Sequence, residues 1–326
     1  METKTVNMIE VEGQTYTIER TSSGLYSLDK ILGGGMPLRV AYELYGNPFV
    51  GKTTLALYLA GKVKPSGKIG VVDLEMALEH NYLASAVAQS GFDGKVKVVD
   101  FYVTKAGEKK LRPHEEMIGD AAKSLLDPEM NAIIIDSIGM FTPIAEQEGD
   151  IGEAFMGQRA RDMAQFTRKV MPYLRIADGA KAAFIVNHVH DELGGRGRVT
   201  PGGVVFKYGA AVRLMMYRGD ADFPGGCFRA LLVVDKLRYG GVIRDENKAF
   251  AFVVPGVGIS PGMSALLDCV DLGIAERGAY VKLRGKSVGR LKKLVEAAQE
   301  RDETALAPFA EELKKEVSSG KSNQQE

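Results

Sequence analysis

GNPFVGKTT occupies residues 46–54, as Gly46, Asn47, Pro48, Phe49, Val50, Gly51, Lys52, Thr53 and Thr54. It lies between an apolar run at 40–44 and a helical pattern at 55–62. In a strand–loop–helix unit of this kind, backbone N–H groups and a helix N-terminus converge on one anion. Lys52 can then reach the β- and γ-phosphates, and the Thr53 hydroxyl can ligate Mg²⁺. The stretch predicts a nucleoside triphosphate site; the alternative is a glycine turn that precedes a helix by chance.

The composition limits the classes of protein to consider. The chain has 326 residues, of which 45% are apolar and 26% charged, which fits one large α/β domain and a smaller one. Lys plus Arg and Asp plus Glu both number 42, so nucleic acid would have to bind through local patches or through weak sites stacked in an oligomer. Two distant cysteines, Cys227 and Cys269, favour a reduced setting over a disulfide framework. No apolar run reaches membrane-spanning length, and we expect a cytoplasmic protein.

Recurring short apolar runs predict a wound, mostly parallel sheet, which is a P-loop α/β fold. The runs are 40–44, 69–74, 96–99, 132–136, 182–187, 212–217, 231–235 and 249–254. Helical patterns separate the earlier runs, whereas the last three follow at hairpin spacing and predict an antiparallel extension. We expect four parts: an N-terminal β segment (1–22), a nucleotide-binding core (23–256), a small α+β domain (257–316) and a disordered tail (317–326).

Two of the runs end in acidic residues. Asp136 ends the 132–136 run, and a carboxylate there holds Mg²⁺ in P-loop proteins. Glu75 follows the 69–74 run and could orient the attacking water. Its spacing leaves open a solvated loop acid, or an Mg²⁺ helper role for Asp73.

Polar residues also stand at the end of a third apolar run, 182–187, where Asn187 is followed by His188. A side chain at this edge could sense the γ-phosphate and pass that state to the loop that follows. A structural histidine is an equal alternative.

Two further segments could meet nucleic acid. Residues 146–168 read as a glycine-punctuated loop and an amphipathic helix, and 191–203 as a long polar glycine-rich loop. Arg196 and Arg198, on the glycine frame of the second segment, suit a DNA backbone. The alternative for the arginines of both segments is a solvated surface.

Several stretches together resemble the RecA family of DNA strand-exchange recombinases, its bacterial and bacteriophage branch more than its archaeal and eukaryotic one. The resemblance covers about residues 20–315. It is carried by SGLYSLDKILGGGMP (23–37), YGNPFVGKTTL (45–55), DLEMALEHNY (73–82), IIIDSIGMFTP (133–143), EQEGDIGEAFMG (146–157) and TPGGVVFKYGAAVRL (200–214). The third and fifth stretches are far more specific than a phosphate loop.

The resemblance implies a DNA-dependent ATPase that uses ATP and Mg²⁺ and coats single-stranded DNA as a helical homo-oligomer, which it pairs with duplex DNA. It makes Glu75 the catalytic glutamate, and it implies that Lys236 and Arg238 reach the neighbouring subunit's nucleotide. Tyr82 and Glu79 fall where the family contacts adenine, and Pro255 where it stacks an aromatic on adenine. The implied DNA-binding positions are Met156, Arg161, Arg168, Gly202 and Gly203, besides Arg196 and Arg198.

Some positions depart from the family pattern. His188 replaces the glutamine that serves bacterial members as the γ-phosphate switch, and a neutral imidazole can still make that hydrogen bond. The sequence has no long N-terminal helix of the bacterial type, so residues 10–20 are expected to pair as an edge strand with the next subunit. The alternatives are a RecA-like mediator or regulator without strand exchange, and a ring-forming helicase or clock-type ATPase.

Overall fold

The computed structural model describes residues 18–105, 108–149, 157–191, 198–201, 207–221, 223–239 and 247–322. The strands of its largest sheet are β3 (Val40–Gly46), β4 (Lys68–Asp73), β5 (Lys95–Val98), β8 (Met130–Asp136), β9 (Ala182–His188), β12 (Val212–Arg218), β13 (Phe228–Leu237), β14 (Lys248–Val254) and β15 (Gly258–Ser260). Smaller pairs are β1 (Arg20–Thr21) with β2 (Met36–Pro37), β6 (Tyr102–Lys105) with β7 (Glu108–Leu111), and β10 (His190–Asp191) with β11 (Arg198–Val199). The last sheet contains β16 (Ala275–Glu276), β17 (Tyr280–Leu283) and β18 (Lys286–Arg290).

The α-helices are α1 (Tyr26–Ile31), α2 (Lys52–Val63), α3 (His80–Ala88), α4 (His114–Ser124), α5 (Ile144–Glu148), α6 (Gln158–Ile176), α7 (Pro261–Asp271), α8 (Leu291–Gln299) and α9 (Ala307–Ser322). Short 3₁₀ turns occupy Ile138–Met140, Pro224–Gly226 and Thr304–Leu306. In the residues that the structure describes, no helix has both the length and the apolar character needed to cross a membrane.

The main sheet has the strand order β15-β14-β13-β12-β3-β9-β8-β4-β5. The pairs from β12 through β3, β9, β8 and β4 to β5 are parallel, and those from β12 to β15 are antiparallel. The predicted α/β fold, with a mostly parallel wound sheet and an antiparallel extension, is therefore confirmed.

Both faces of the central strands β3, β4, β8 and β9 are buried, which explains why these strands read as nearly unbroken apolar runs. On β8, Ile134 packs into the cluster with α2 and α3, whereas Ile133 and Ile135 pack into the cluster with α4 and α6. Successive side chains of a strand point to opposite faces, so one apolar run serves both layers.

The C-terminal part has an apolar cluster of its own. Helices α7, α8 and α9 contribute Met263, Leu294 and Phe309, and β14 contributes Phe252 from the main sheet. The predicted limits of this domain stay a prediction; β15 extends the main sheet just beyond residue 256.

Residues 317–326 were expected to be disordered, but helix α9 runs through Ser322. A helix that is docked through buried Phe309 and Leu313 can propagate beyond its last packed turn, because each added residue gains one backbone hydrogen bond. Residues 323–326 lie outside the described part.

Candidate active site

Strand register brings the predicted nucleotide residues to one edge of the sheet. Gly46 at the end of β3 is level with His188 at the end of β9, and Asp73 at the end of β4 is level with Asp136 at the end of β8. Ligands of parallel α/β sheets bind at this carboxyl edge. These four residues, which are far apart in the sequence, therefore lie at one edge of the sheet.

The candidate phosphate-binding loop, residues 46–54, turns from β3 into α2. Gly51 caps the helix with φ of 86°, a conformation that favours glycine. Lys52 is buried, and its Nζ donates to the carbonyl oxygens of Gly46 at 3.2 Å and Asn47 at 2.8 Å. Burial lowers the pKa of Lys52, which the charges of Asp136 and Glu75 oppose. The ammonium is thus folded back over the candidate loop.

The other side chains of the loop differ in their burial. Val50 and Thr54 are buried, whereas Asn47, Pro48 and Phe49 are exposed. Phe49 leaves 89% of its surface open.

Thr53 and Asp136 form the candidate metal site. The Thr53 hydroxyl donates to Asp136 Oδ2 at 2.6 Å. Burial raises the pKa of Asp136 to about 7, and the neighbouring carboxylates of Glu75 and Asp73 add to the rise. A hydroxyl and a carboxylate beside a candidate phosphate-binding loop fit Mg²⁺, which takes few protein oxygens and completes its shell with water and substrate phosphates.

Glu75 is held against the end of β8. The backbone N–H groups of Leu74 and Glu75 donate to the carbonyl oxygen of Asp136, at 2.6 and 3.3 Å. The Glu75 Oε1 accepts a hydrogen bond from the Ser137 hydroxyl and lies 2.7 Å from His188 Nε2. Burial raises the pKa of Glu75, but the hydrogen bonds of His188 and Ser137 outweigh it and leave the pKa below its ordinary value.

Asp73 helps to shape the loop that carries Glu75. Its buried Oδ2 accepts from the backbone N–H of Leu78 at 2.8 Å, so one of its oxygens is used in the turn. The other, Oδ1, is buried and has no hydrogen-bond partner among the described residues.

The residues expected near adenine lie around α3 and β14. The Tyr82 hydroxyl is hydrogen-bonded to the Thr54 hydroxyl, which connects α3 to α2. Glu79 precedes α3, is exposed and accepts from Asn81 Nδ2 at 2.8 Å. Pro255 is exposed two residues after Val253. A Cβ built on Gly51 would lie 3.1 Å from the Val253 side chain, so the end of β14 packs on the phosphate loop.

His188 and Asn187 together connect the candidate catalytic edge to the second candidate DNA segment. A Cβ built on Gly139 would lie 3.1 Å from His188 Cδ2, so the ring packs against the backbone after β8. The adjacent Asn187 is fully buried, accepts from the His188 N–H and donates from Nδ2 to the Pro201 carbonyl oxygen at 2.9 Å.

The same Asn187 amide contacts a buried charge pair that no sequence motif indicated. Its Nδ2 donates to Glu43 Oε1 at 2.8 Å, and Glu43 Oε2 accepts from Arg213 Nε at 2.5 Å. The guanidinium of Arg213 also binds Asp235. The sequence signal for this network is Glu43 itself, a carboxylate inside an apolar strand.

Lys236 and Arg238 lie away from their own chain's phosphate loop. Lys236 is level with Arg213 on β12, which is level with Glu43 and not with the carboxyl end of β3. The Lys236 ammonium donates to the carbonyl oxygens of residues 207 and 208, at 2.9 and 2.8 Å, and Arg238 donates to that of residue 208.

The candidate DNA residues are partly outside the described residues, as is the case for Met156, Arg196, Gly202 and Gly203. Arg161 and Arg168 are exposed on α6, and the backbone of Arg198 pairs with Asp191. A Cβ built on Gly209 would lie 2.1 Å from Thr167 Cγ2, so the segment after the second candidate loop packs tightly on α6.

Comparison with known proteins places this arrangement in a family. The model of the RecA N-terminal domain matches residues 3–222. Protein RecA of Thermosynechococcus vestitus is 30% identical over 319 residues, which cover 92% of this chain and 81% of that protein. Protein RecA of Streptococcus mutans is 29% identical over 286 residues, 84% of this chain and 70% of that protein.

A plant protein matches as well. The chloroplastic DNA repair protein recA homolog 1 of Arabidopsis thaliana is 31% identical over 287 residues, 84% of this chain and 60% of that protein. These relatives match over most of the chain, far beyond the phosphate loop. The chain belongs to the RecA family.

Proposed function

We propose that this chain is an ATP-dependent DNA recombinase, which forms a filament on single-stranded DNA and promotes homologous pairing and strand exchange in recombination and repair. One observation carries the proposal. Glu75 contacts His188, and the adjacent Asn187 holds the carbonyl oxygen of Pro201 at the end of the second candidate DNA segment. A recombinase needs such a link, because its hold on DNA must depend on the state of its nucleotide.

Phosphate binding is assigned to the loop between β3 and α2. Lys52 would exchange its bonds to loop carbonyls for phosphate oxygens, and the N–H groups of residues 50–53 would surround the same anion. The Thr53 hydroxyl and the Asp136 carboxylate would hold Mg²⁺, which when bound would offset the charge of the phosphates.

Glu75 is the candidate that positions the attacking water. Its lowered pKa keeps it ionised near neutral pH, as a hydrogen-bond acceptor for water must be. Ser137 and His188 fix the orientation of the carboxylate. His188 would then exchange its bond to Glu75 for one to the γ-phosphate and move the segment that begins at Asn187.

The homo-oligomer is part of the proposal. Lys236, near the end of β13, and Arg238, just after it, lie away from the carboxyl end of β3, but they could neutralise charge on a nucleotide bound by the next subunit. Residues 10–20 would add an edge strand to that subunit.

DNA would be bound through the segments 146–156 and 191–203, with help from Arg161 and Arg168. Contacts to the phosphate backbone make binding independent of sequence and sensitive to salt. The basic run of the C-terminal domain is a candidate entry for duplex DNA. It comprises Lys282, Arg284, Lys286, Arg290, Lys292 and Lys293. Arg284 pairs with Glu312 and Glu316, Lys282 with Glu276, and Lys292 with Glu296, which makes these three weaker candidates than Lys286, Arg290 and Lys293.

A strand-exchange assay tests the proposal. With ATP, Mg²⁺, a circular single strand and a homologous linear duplex, the wild type is expected to yield joint molecules, and a duplex of unrelated sequence should yield none. Lys52→Ala should abolish exchange and ATP turnover, because the phosphates lose their cation. A wild type that binds DNA and hydrolyses ATP without forming joint molecules would instead be a mediator or regulator.

A further inference from the structure

The β6–β7 hairpin stands apart from the sheet that holds the site. It follows the edge strand β5 and forms a sheet of its own, in which Tyr102 pairs with Leu111 and Thr104 with Lys109. Cross-strand pairs lie on one face, so these four side chains share a face. All four are exposed, and Tyr102 and Leu111 leave 49% and 78% of their surface open.

This face carries positive charge next to an aromatic ring. The Lys109 ammonium lies 4.5 Å from the centre of the Tyr102 ring. The hairpin as a whole is basic, since residues 102–111 contain three lysines and one acidic residue; Lys110, paired with Val103, lies on the face opposite Tyr102. Within the described ranges, Lys109 and Lys110 have no carboxylate partner.

The base of the hairpin is fixed at the carboxyl edge of the sheet. The Val99 N–H donates to the carbonyl oxygen of Val71 at 2.8 Å, and the Arg112 N–H donates to that of Phe101 at 2.7 Å. The Arg112 guanidinium pairs with Asp120 of α4. The hairpin therefore leaves the sheet on the same side as the phosphate loop and His188.

The hairpin also shares its support with the first candidate DNA segment. At the start of α4, His114 Nδ1 accepts from the Thr142 N–H at 3.0 Å, and Glu115 Oε1 accepts from the Ile144 N–H at 2.7 Å. Ile144 begins α5, which leads directly into residues 149–157.

We propose that the β6–β7 hairpin is a third contact for single-stranded DNA, in which the Tyr102 ring stacks on a base, Lys109 binds a backbone phosphate on the same face, and Lys110 binds another from the opposite face. Positive charge beside an exposed aromatic side chain is the combination that binds single strands without sequence preference. The proposal rests on the DNA-binding function proposed above and extends it to an element outside the two loops.

The test compares two double variants of equal charge. Lys109→Ala with Lys110→Ala removes the hairpin cations, whereas Lys64→Ala with Lys123→Ala removes two exposed cations at the opposite edge, after α2 and in the last turn of α4. Single-strand affinity is measured with a labelled oligonucleotide at several salt concentrations. Thermal unfolding checks that all variants are folded.

We expect the hairpin variant to bind roughly tenfold more weakly at low salt, and the slope of log K against log salt to fall by about 1.4, the contribution of two phosphate contacts. Tyr102→Ala should weaken binding about fivefold or more through lost stacking, with the slope unchanged. The Lys64/Lys123 variant should match the wild type.

Equal affinity and slope in the hairpin variant and the wild type would overturn the inference, and so would an equal loss in both double variants. A loss confined to duplex DNA, or to self-assembly without DNA, would assign the hairpin to another partner. A wild type that binds no single strand would overturn the proposed function as well, which separates the two failures.

Discussion

The carboxylate of Glu75 receives two side-chain hydrogen bonds, from Ser137 and His188. The position of Glu75 Oε1 is thus fixed by its own loop and by two other segments, those of Ser137 and His188. A carboxylate fixed in this way can orient water, since the loss of its freedom has already occurred on folding. At the scale of single residues, the candidate chemistry depends on this carboxylate.

Glu75→Gln keeps the shape of the side chain and removes its negative charge. We expect ATP and DNA binding to persist and the hydrolysis rate to fall at least about 100-fold, since general-base help contributes about 10²–10⁴. Single-turnover hydrolysis and nucleotide titration measure the two effects. Glu116→Gln, an exposed change in the first turn of α4, is the matched control. Unaltered turnover in Glu75→Gln would remove Glu75 from the reaction.

The sequence singled out some residues of the candidate site but did not reveal all of their contacts. Lys52, Thr53 and Asp136 could be predicted, because a fixed spacing and an acid at a strand end carry the signal. The contact between Glu75 and His188 could not, because the two residues are separated by 113 positions and only the sheet order makes them neighbours. Their roles, as assigned from the sequence, stay predictions.

At the scale of elements, the buried network joins β3, β9, β12 and β13. Glu43 is fully buried between the Asn187 amide and the Arg213 guanidinium. Asp235 binds the far side of Arg213, next to Lys236. The network therefore connects the strand that ends at His188 with the strand that carries the candidate intersubunit cations.

Glu43→Gln tests this network. It preserves an acceptor for Asn187 but leaves Arg213 with the partly exposed Asp235 as its remaining counter-charge, and we expect a loss of about 1–3 kcal/mol in unfolding free energy. Chemical denaturation measures the loss. We also expect DNA to stimulate ATP hydrolysis less in this variant.

A double variant separates folding from coupling. Glu43→Leu with Arg213→Leu replaces the ion pair with apolar groups, which often restores stability. It should fold while DNA stimulation stays reduced. Full stimulation in the folded double variant would mean that the network is only structural.

The central strands of the main sheet were the elements that the sequence predicted best, because burial on both faces leaves an apolar run in each of them. The β6–β7 hairpin has no such run, since the side chains of β7 are all exposed, and it was not predicted. The short β10–β11 ladder lies inside a segment that the sequence presents only as a polar loop. Exposed strands depend on pairing partners that periodicity does not reveal.

At the scale of the whole molecule, Asp268 lies where the C-terminal part meets the core. It belongs to α7, and its Oδ2 accepts from the Ser27 N–H of α1 at 3.2 Å. Burial raises its pKa from 3.8 to about 6. Because folding raises this pKa, the contribution of Asp268 to stability is fully present below about pH 4 and is lost as the pH rises through about 6.

Asp268→Asn should remove this pH dependence. The amide oxygen can still accept from Ser27, and no charge is buried. At pH 8 we expect the variant to exceed the wild type by about 3 kcal/mol in unfolding free energy, from about two pKa units at 1.36 kcal/mol each. At pH 4 the difference should vanish. Denaturant titrations at both pH values measure it, and an equal difference at both would argue against a buried titrating carboxylate.

The most direct test of coupling between the nucleotide site and DNA is ATP hydrolysis with and without single-stranded DNA, at two salt concentrations. We predict strong stimulation by DNA at low salt, at least about tenfold, which weakens at high salt as phosphate contacts are lost. Hydrolysis that is unaffected by DNA, or no hydrolysis at all, would contradict the account. The contacts from Glu75 through His188 to Asn187 would then not couple ATP hydrolysis to DNA binding.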